Sequence, residues 1–506
     1  MNPVWTRVTP IGALVLCCSL VAFAFAPGAV GQAQSGGGFG QPSSDDRQTN
    51  SSDSENSVSS TATTSSSTQS PFLSSVPEGK ATGTVLPLSF KDALDRALRN
   101  NLGLLISSDS SLAARGSRLQ ELSHLLPNVS ASATQAAQQI DLAALGFRFR
   151  FPGVSPVVGP IGTFDARAYV TAPLFDWHAI ERERGARANE ASARYNYKNA
   201  RELVVLATGN EYLLTISAGA RVDAVQAQVE TAQALYNKAH DQQSAGVSPA
   251  IDALRAQVEL QSRQQQLIVA RNDYAKQKLA LARTIGLPPG QEFNLTDQEP
   301  YQPLTPMGLE DALQRAYASR ADYQAAAQQV LSAEQFRRAA TAEHLPTLEF
   351  SGNYGAAGVN VGSSHGVFLA GGTLEIPIFA GGRSHADALQ AEATLRQSRQ
   401  QLENLRAQID YDVRTALLDL AAASDQVQVA RSSLDLANQT LVQARDRFTA
   451  GVTDNLEVIE AQEAVASANE NYISSLYAHN VAKVSLARAI GFAEQGVRQY
   501  LETKGK

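Results

Sequence analysis

Two acids three residues apart, Glu457 and Glu460, follow the turn Gly451-Val452-Thr453-Asp454. At that spacing both carboxylates share one side of a helix. Asp252 holds the matching place after Gly246 in a second stretch, "AGVSPAIDALRAQ". On their own, acids so placed are most often a solvated helix face. The other candidate chemistries fail on context. Gly362 to Gly366, "GSSHG", fits the G-x-S-x-G nucleophile pattern. It lies in a Gly-rich hairpin loop, whereas a nucleophile elbow needs a strand-to-helix turn. The seven histidines show no H-E-x-x-H spacing, and no Gly-rich loop precedes a lysine to hold phosphate. After the N-terminal region Met307 is the sole methionine, so there is no ladder of soft ligands for copper or silver. These residues predict no catalysis, no cofactor and no metal site.

The acids need elements to place them. Gly246 and Gly451 each sit where a helix must stop, and glycine takes the left-handed conformation that ends one. Val247 and Val452 complete the turns. Ser248 and Thr453 (or Asp454) suit the N-cap of a returning helix, and Pro249 suits its first turn. No proline occurs between Pro173 and Pro249, and none after Pro377. Asp176 to Ala245 would reach about 105 Å as straight helix, and neither it nor its return segment reads as a membrane helix. In the second long helix Val413, Leu420, Val427, Leu434, Leu441 and Phe448 recur every seven residues, interleaved with Ala416, Ala423, Ala430, Ala437 and Ala444. Beyond the turn, Val458, Val465, Tyr472 and Leu486 alternate with Ala461, Ala468, Ser475 and Ala482. Matching seams on both sides of one turn predict an antiparallel coiled-coil hairpin.

The chain is written twice. "DALDRAL" at Asp92 returns as "DALQRAY" at Asp311, and Pro127 returns as Pro346, both at an offset of 219. "TAPLF" at Thr171 matches "EIPIF" at Glu375, while "AGVS" matches "AGVT" and "ARTIGL" matches "ARAIGF" at an offset of 205. Between the matched prolines the period is two, as in Phe164, Ala166, Ala168, Val170 and Ala172, which predicts a β-hairpin in each half. The expected organisation is a signal peptide at 1–33, a Ser/Thr-rich disordered linker at 34–85, and two repeats at 86–300 and 301–495, with a tail at 496–506. The first repeat carries a hairpin at about 127–175, a long helix at 176–245 and a return helix at 249–286; the second carries them at about 346–379, 381–450 and 454–491.

Bulk properties narrow the class. A net charge of −7 argues against a nucleic-acid surface. Arg7 and the apolar run Ile11 to Ala26 form a secretory signal too short to stay as a membrane span. The only cysteines, Cys17 and Cys18, lie inside that run, which leaves an exported chain without disulfides; a lipid anchor on Cys18 is the alternative. Four strands per chain are too few for a closed membrane barrel, so strands from several copies would have to be pooled.

"PIFAGGR" opening a long helix, "AGVTDNLEVIEAQ" at its turn and the twofold repeat together make the chain resemble the TolC-type outer-membrane efflux proteins, from about Leu88 to Phe492. The resemblance implies a mainly α fold with a small β part. Duplicated antiparallel coiled-coil helices would carry four β-strands that pool in a homotrimer into a 12-stranded outer-membrane barrel. The helices would continue the barrel as a periplasmic tunnel, and the partners implied are outer-membrane lipid, a periplasmic adaptor and an inner-membrane pump. The P-[LI]-F-x-G-G joint maps to Pro173 and Phe175 in the first half and to Pro377, Phe379, Gly381 and Gly382 in the second; the first half lacks the double glycine. The family's acidic pore constriction carries over to Glu457 and Glu460, with Asp252 at the equivalent first-half place. Gly246, Val247, Ser248, Gly451, Val452 and Thr453 become the tips that dock the adaptor. Thr453 stands where some members have an arginine that helps hold the tunnel shut; Arg447, one turn earlier, is the available substitute. The competing expectation is a soluble periplasmic coiled-coil scaffold or adaptor, which leaves the paired strands without a purpose.

Overall fold

The computed structural model describes residues 70–142, 144, 146, 157–297, 302, 304, 307–453 and 455–496. The expected signal peptide with Cys17 and Cys18, the linker through 69, most of the first hairpin loop, Asp454 and the tail from 497 lie outside the described residues. In chain order the first half runs β1 (Leu86–Leu88), α1 (Phe90–Asn100), α2 (Leu102–Ser123), β2 (Asn128–Asp141), β3 (Val157–Phe175), α3 (Trp177–Ser244), α4 (Ala250–Ile285) and β4 (Phe293–Leu295). The second half runs α5 (Leu309–Ser319), α6 (Ala321–Ala342), β5 (Thr347–Gly358), β6 (His365–Glu375), α7 (Arg383–Thr449) and α8 (Asn455–Ala489).

Four strands form one antiparallel sheet in the order β2-β3-β5-β6, so the two hairpins join through β3 and β5. Register separates the chemistry of its faces. Ala131, Ala168, Tyr354 and Phe368 stand side by side, as do Val129, Val170 and Gly352 on the same face. The opposite face carries Ser132 beside Arg167, then Asp165, Ser351, Asn353 and Glu349, with Val367 and Leu369 of β6 as apolar exceptions. Arg167 is ion-paired to Asp165, two residues before it on that face. The outer edges of β2 and β6 have no partner strand among the described residues. These residues also hold a two-stranded parallel pair, β1 with β4, which the sequence does not announce. Three residues per strand are too few to show a period of two.

α3 has 68 residues and α7 has 67, so each extends about 100 Å. α3 packs on α4 and α8, α8 packs on α7, and α6 lies against both α3 and α7. α4 and α7 therefore form the outer flanks. The alternating seam buries Val413, Ala416, Val427, Ala444 and Phe448 on α7 against Val458, Ala461, Ala468 and Leu486 on α8. One 18-residue window of α3 is as apolar as a membrane span, with mean hydropathy 1.2, contrary to the sequence expectation; 56% of it is buried inside the protein, as a core helix requires.

Midway along the rods the short helices make a girdle. Ser89 and Asn101 cap α1 and α2 by accepting backbone N–H bonds. Residues 70–85, expected to be linker, are in part a folded strap. Ser75 N–H donates to Arg283 O at 3.1 Å, Val76 N–H to Asn100 O at 2.8 Å and Glu78 N–H to Gly286 O at 3.2 Å. Phe72 covers Gly103, where an added Cβ would stand 2.5 Å from its ring. One aromatic anchor and these bonds hold a stretch whose composition resembles that of disordered chain. On the opposite half Arg320, nearly buried, bridges Asp322 at 2.7 Å and Asp412 at 3.1 Å. Burial works to raise the Asp322 pKa, but the bonds and charge of Arg320 and the charge of Arg488 outweigh it and hold the carboxyl below its ordinary value.

Candidate functional site

The two helix turns are built alike. After α3, Gly246 N–H donates to Gln243 O at 2.9 Å and Val247 N–H to Gln242 O at 2.9 Å. After α7, Gly451 N–H donates to Phe448 O at 3.1 Å and Val452 N–H to Arg447 O at 3.0 Å. Both are Schellman closures, and the glycines take φ of +72° and +71°. Val247 and Val452 are then thrust outward, exposed at the tips. Beneath them Leu235, Ala239, Ala256, Leu441, Ala444, Phe448, Val458 and Ala461 pack into one cluster from four helices. The turns thus share a single base.

The capping differs from expectation. Pro249, not Ser248, is the cap residue of α4, and no side chain caps that helix. Ser248 Oγ instead donates to Asp252 Oδ2 at 2.8 Å. Asp252 is buried, and Arg255 Nη1 lies 3.9 Å from its other oxygen. Its backbone oxygen accepts from the Asn455 side chain at 2.8 Å, which ties the start of α8 to the start of α4. Asn455 is fully buried, and sequence reasoning does not single it out. Its only cue is its position, directly before the amphipathic run. Thr453 is half-buried in the turn, and the expected cap Asp454 lies outside the described residues.

Glu457 and Glu460 do not share one environment. Arg447 Nη1, in the last turn of α7, bonds Glu457 Oε1 at 2.8 Å across the Schellman turn. Glu460 is exposed, with no ion-pair or hydrogen-bond partner among the described residues. Arg447 therefore closes the hairpin over one acid and leaves the second open to solvent. Lys238 of α3 adds a tie, bonding Thr449 Oγ1 at 2.7 Å while lying over the Phe448 ring.

At the other end the two joints differ. β3 runs through Pro173 to Phe175, Asp176 accepts a bond from Ala179 N–H as N-cap, and α3 starts at Trp177. In the second half β6 stops at Glu375, and an irregular stretch with Pro377 and exposed Ile378 and Phe379 leads to α7. Gly381 and Gly382 there have φ of +62° and +86°. The "GSSHG" stretch is a short helical turn entering β6, and His365 is exposed on the strand. Among the described residues no group of three His, Cys, Asp or Glu side chains is placed to hold a metal ion.

The family described as Outer membrane efflux protein matches residues 93–287 and 312–492. The alkaline protease secretion protein AprF of Pseudomonas aeruginosa is 22% identical over 318 residues, 60% of this chain and 65% of AprF. The cation efflux system protein CusC of Escherichia coli K12 is 24% identical over 297 residues, 57% of this chain and 64% of CusC. The chain thus spans just under two thirds of the length of these relatives. The outer membrane protein VceC of Vibrio cholerae shares the fold, with a TM-score of 0.68 at 18% identity over 79% of this chain and 96% of VceC. With the family matching both halves, the duplicated rods and the two-faced sheet find their place together: the chain belongs to the outer membrane efflux protein family, and it is an outer-membrane protein whose long helices lie in the periplasm.

Proposed function

We propose that three copies of the chain close a 12-stranded barrel and form the exit duct of a tripartite efflux or type I secretion system. Cargo passes through it passively from an inner-membrane pump and a periplasmic adaptor to the exterior. The observation that carries this reading is the sheet: two unpaired edges, one apolar and one polar face, and strands that lead into helical hairpins about 100 Å long. Open edges are not tolerated in lipid, so β2 of one copy must meet β6 of the next. Closure turns the Tyr354–Phe368 face to lipid and the Arg167–Glu349 face to water.

The tips Gly246, Val247, Ser248, Gly451, Val452 and Thr453 offer the adaptor two exposed valines on rigid turns. Just above them Glu457 and Glu460 form the constriction, with Asp252 buried behind them as the equivalent first-half acid, and the exposed Glu460 adds an acid without a partner among the described residues to a ring that favours cations. Arg447 takes the closing role through Glu457. Protease secretion and cation efflux both appear in the relatives' names, which suits a duct that does not itself select cargo. A conduit needs no catalytic residues, and the duct reading assigns none.

Planar-bilayer recording tests this. Wild type should show low, cation-preferring conductance, and Glu457→Ala/Glu460→Ala should raise conductance and lose the preference. Unchanged selectivity would move the constriction elsewhere. Absence of any channel, from protein that extracts without detergent, would leave the periplasmic scaffold instead.

A further inference from the structure

In each half a pair of short helices must be fastened to the end of the returning helix, and the two halves do it differently. In the first half the fastener is the strap. Asn101, at the joint of α1 and α2, donates from its side chain to Phe72 O at 2.8 Å, and a Cβ on Gly286 would come within 2.9 Å of Val76 O. The offsets of 219 and 205 carry Asn101 to Arg320 and Gly286 to Gly491. There the joint of α5 and α6 closes directly on the helix end, and a Cβ on Gly491 would stand 2.6 Å from Arg320 N. Charge takes over from the strap. Arg320 Nη1 donates to Asp412 of α7 at 3.1 Å and Nη2 to Asp322 of α6 at 2.7 Å. Arg488 of α8 reaches Asp322 at 3.3 Å, Glu202 of α3 at 2.8 Å and Asn199 Oδ1 at 2.6 Å. Asn101, Gly103 and Ala207 hold the first-half places of Arg320, Asp322 and Asp412, so the cluster is an addition to the fold and not a requirement of it.

Two guanidiniums thus face three carboxylates where little water reaches. Asp322 is held by both arginines and accepts Tyr323 N–H at 2.8 Å, and Asp412 is the most exposed of the three acids. Glu202, with 13% of its side chain exposed, has one guanidinium, which it shares with Asp322 and Asn199. The surplus negative charge therefore falls on Glu202. The other cations of its cleft are engaged elsewhere: Arg201 pairs with Glu494, Arg194 with Glu190, and Lys198 lies over the Tyr195 ring. From α2 the cleft receives the uncharged Ser111.

We infer that this cluster is a proton-controlled clamp on the α7–α8 hairpin: with a proton on Glu202 its charges balance and α8 is held firmly to α3 and α6, and with Glu202 ionised the grip slackens. The clamp lies within one chain and does not depend on how copies assemble. Burial, reinforced by the charge of Asp322, raises the Glu202 pKa above its ordinary value against the pull of Arg488 and Arg320. Between the ordinary value and the raised one the folded chain holds a proton that the unfolded chain has released, so stability rises as pH falls through that window. The depressed Asp322 acts in the opposite sense, and only as pH falls below its own ordinary value. The strap holds α4 by backbone bonds, which do not titrate. Glu457 and Glu460 ride at the tip of the clamped hairpin, so periplasmic acidity governs how freely they move.

Hydrogen exchange read by mass spectrometry, on full-length protein in detergent, tests the clamp. After correction for the intrinsic chemical rate, protection of residues 480–490 in α8 should rise from pH 7 to pH 5, while that of their counterparts 275–285 in α4 should not. Burial lowers the pKa of the neighbouring His479, so its protonation would loosen α8 as pH falls and cannot produce this gain. Glu202→Gln fixes the neutral state. At pH 7 it should already show the protection that wild type reaches at pH 5, with a denaturation midpoint no lower than wild type, and it should lose the pH response. A variant less protected than wild type at pH 7, or one that keeps the response, would overturn the clamp. An equal response in both halves of the wild-type chain would do so too, and that comparison decides even if the variant does not fold.

Discussion

Lys483 is an ammonium group in the wrong solvent. It lies in α8 and is 1% exposed, and no ion pair with it is found among the described residues. Burial drives its pKa down from 10.5 to about 8. That displacement corresponds to about 3 kcal/mol of destabilisation per chain while the group is charged in both states. The sign follows from proton binding. Between about 8 and 10.5 the unfolded chain holds this proton more tightly than the folded one, so stability rises with pH through that window. Below the folded value both states carry the proton, and the penalty is constant. Lys483→Met keeps an unbranched side chain, one atom shorter, and removes the charge. At pH 7 it should raise the unfolding free energy by about 3 kcal/mol and abolish the rise at alkaline pH. Denaturant midpoints in detergent, read by circular dichroism at pH 7, 8.5 and 9.5, check both parts. A variant less stable than wild type at pH 7, or one that keeps the alkaline slope, would refute the reasoning.

Arg447→Ala should leave stability within about 1 kcal/mol, because the pair with Glu457 is substantially exposed. It should nevertheless sharpen cation preference in bilayer recordings, since Glu457 then shows its whole charge. Gly355→Ala should weaken the sheet by about 2 kcal/mol or more, because its Cβ would meet Ala166 O at 2.1 Å and Arg167 Cα at 2.6 Å. A lower thermal midpoint than wild type in detergent, read by circular dichroism, is the readout.

Regular spacing makes much of this molecule legible. The seven-residue seams of Val413 to Phe448 and the glycine turns can be read directly, because coiled-coil packing and left-handed backbone each demand particular residues at particular intervals. The faces of the strands are readable for the same reason, but their neighbours are not. Nothing in Phe164 to Ala172 says that β3 pairs with β5 across the helices and turns of residues 176–346. The strap is hidden because Phe72 and a few backbone bonds do not alter a Ser- and Pro-rich composition. Ser248 misleads because a hydroxyl before proline suits an N-cap, yet the helix takes Pro249 as its cap residue and the hydroxyl donates to Asp252 instead of accepting a backbone N–H. The Arg447–Glu457 contact spans the turn, so helical spacing alone does not locate it, although the missing arginine at Thr453 points to a substitute.

The two joints at the sheet have a mechanical consequence. In the first half the strand passes into its helix through one capped residue, Asp176, which acts as a welded strut. In the second, the stretch from Ile376 to Gly382 contains two left-handed glycines and exposed apolar side chains and ends without a side-chain cap, so it would serve as a swivel. Around the proposed ring of three copies, struts and swivels would alternate. Torque applied at the tips of such a ring would be absorbed by rotation of the α7–α8 hairpins, while the α3–α4 hairpins would hold the proposed barrel's circumference.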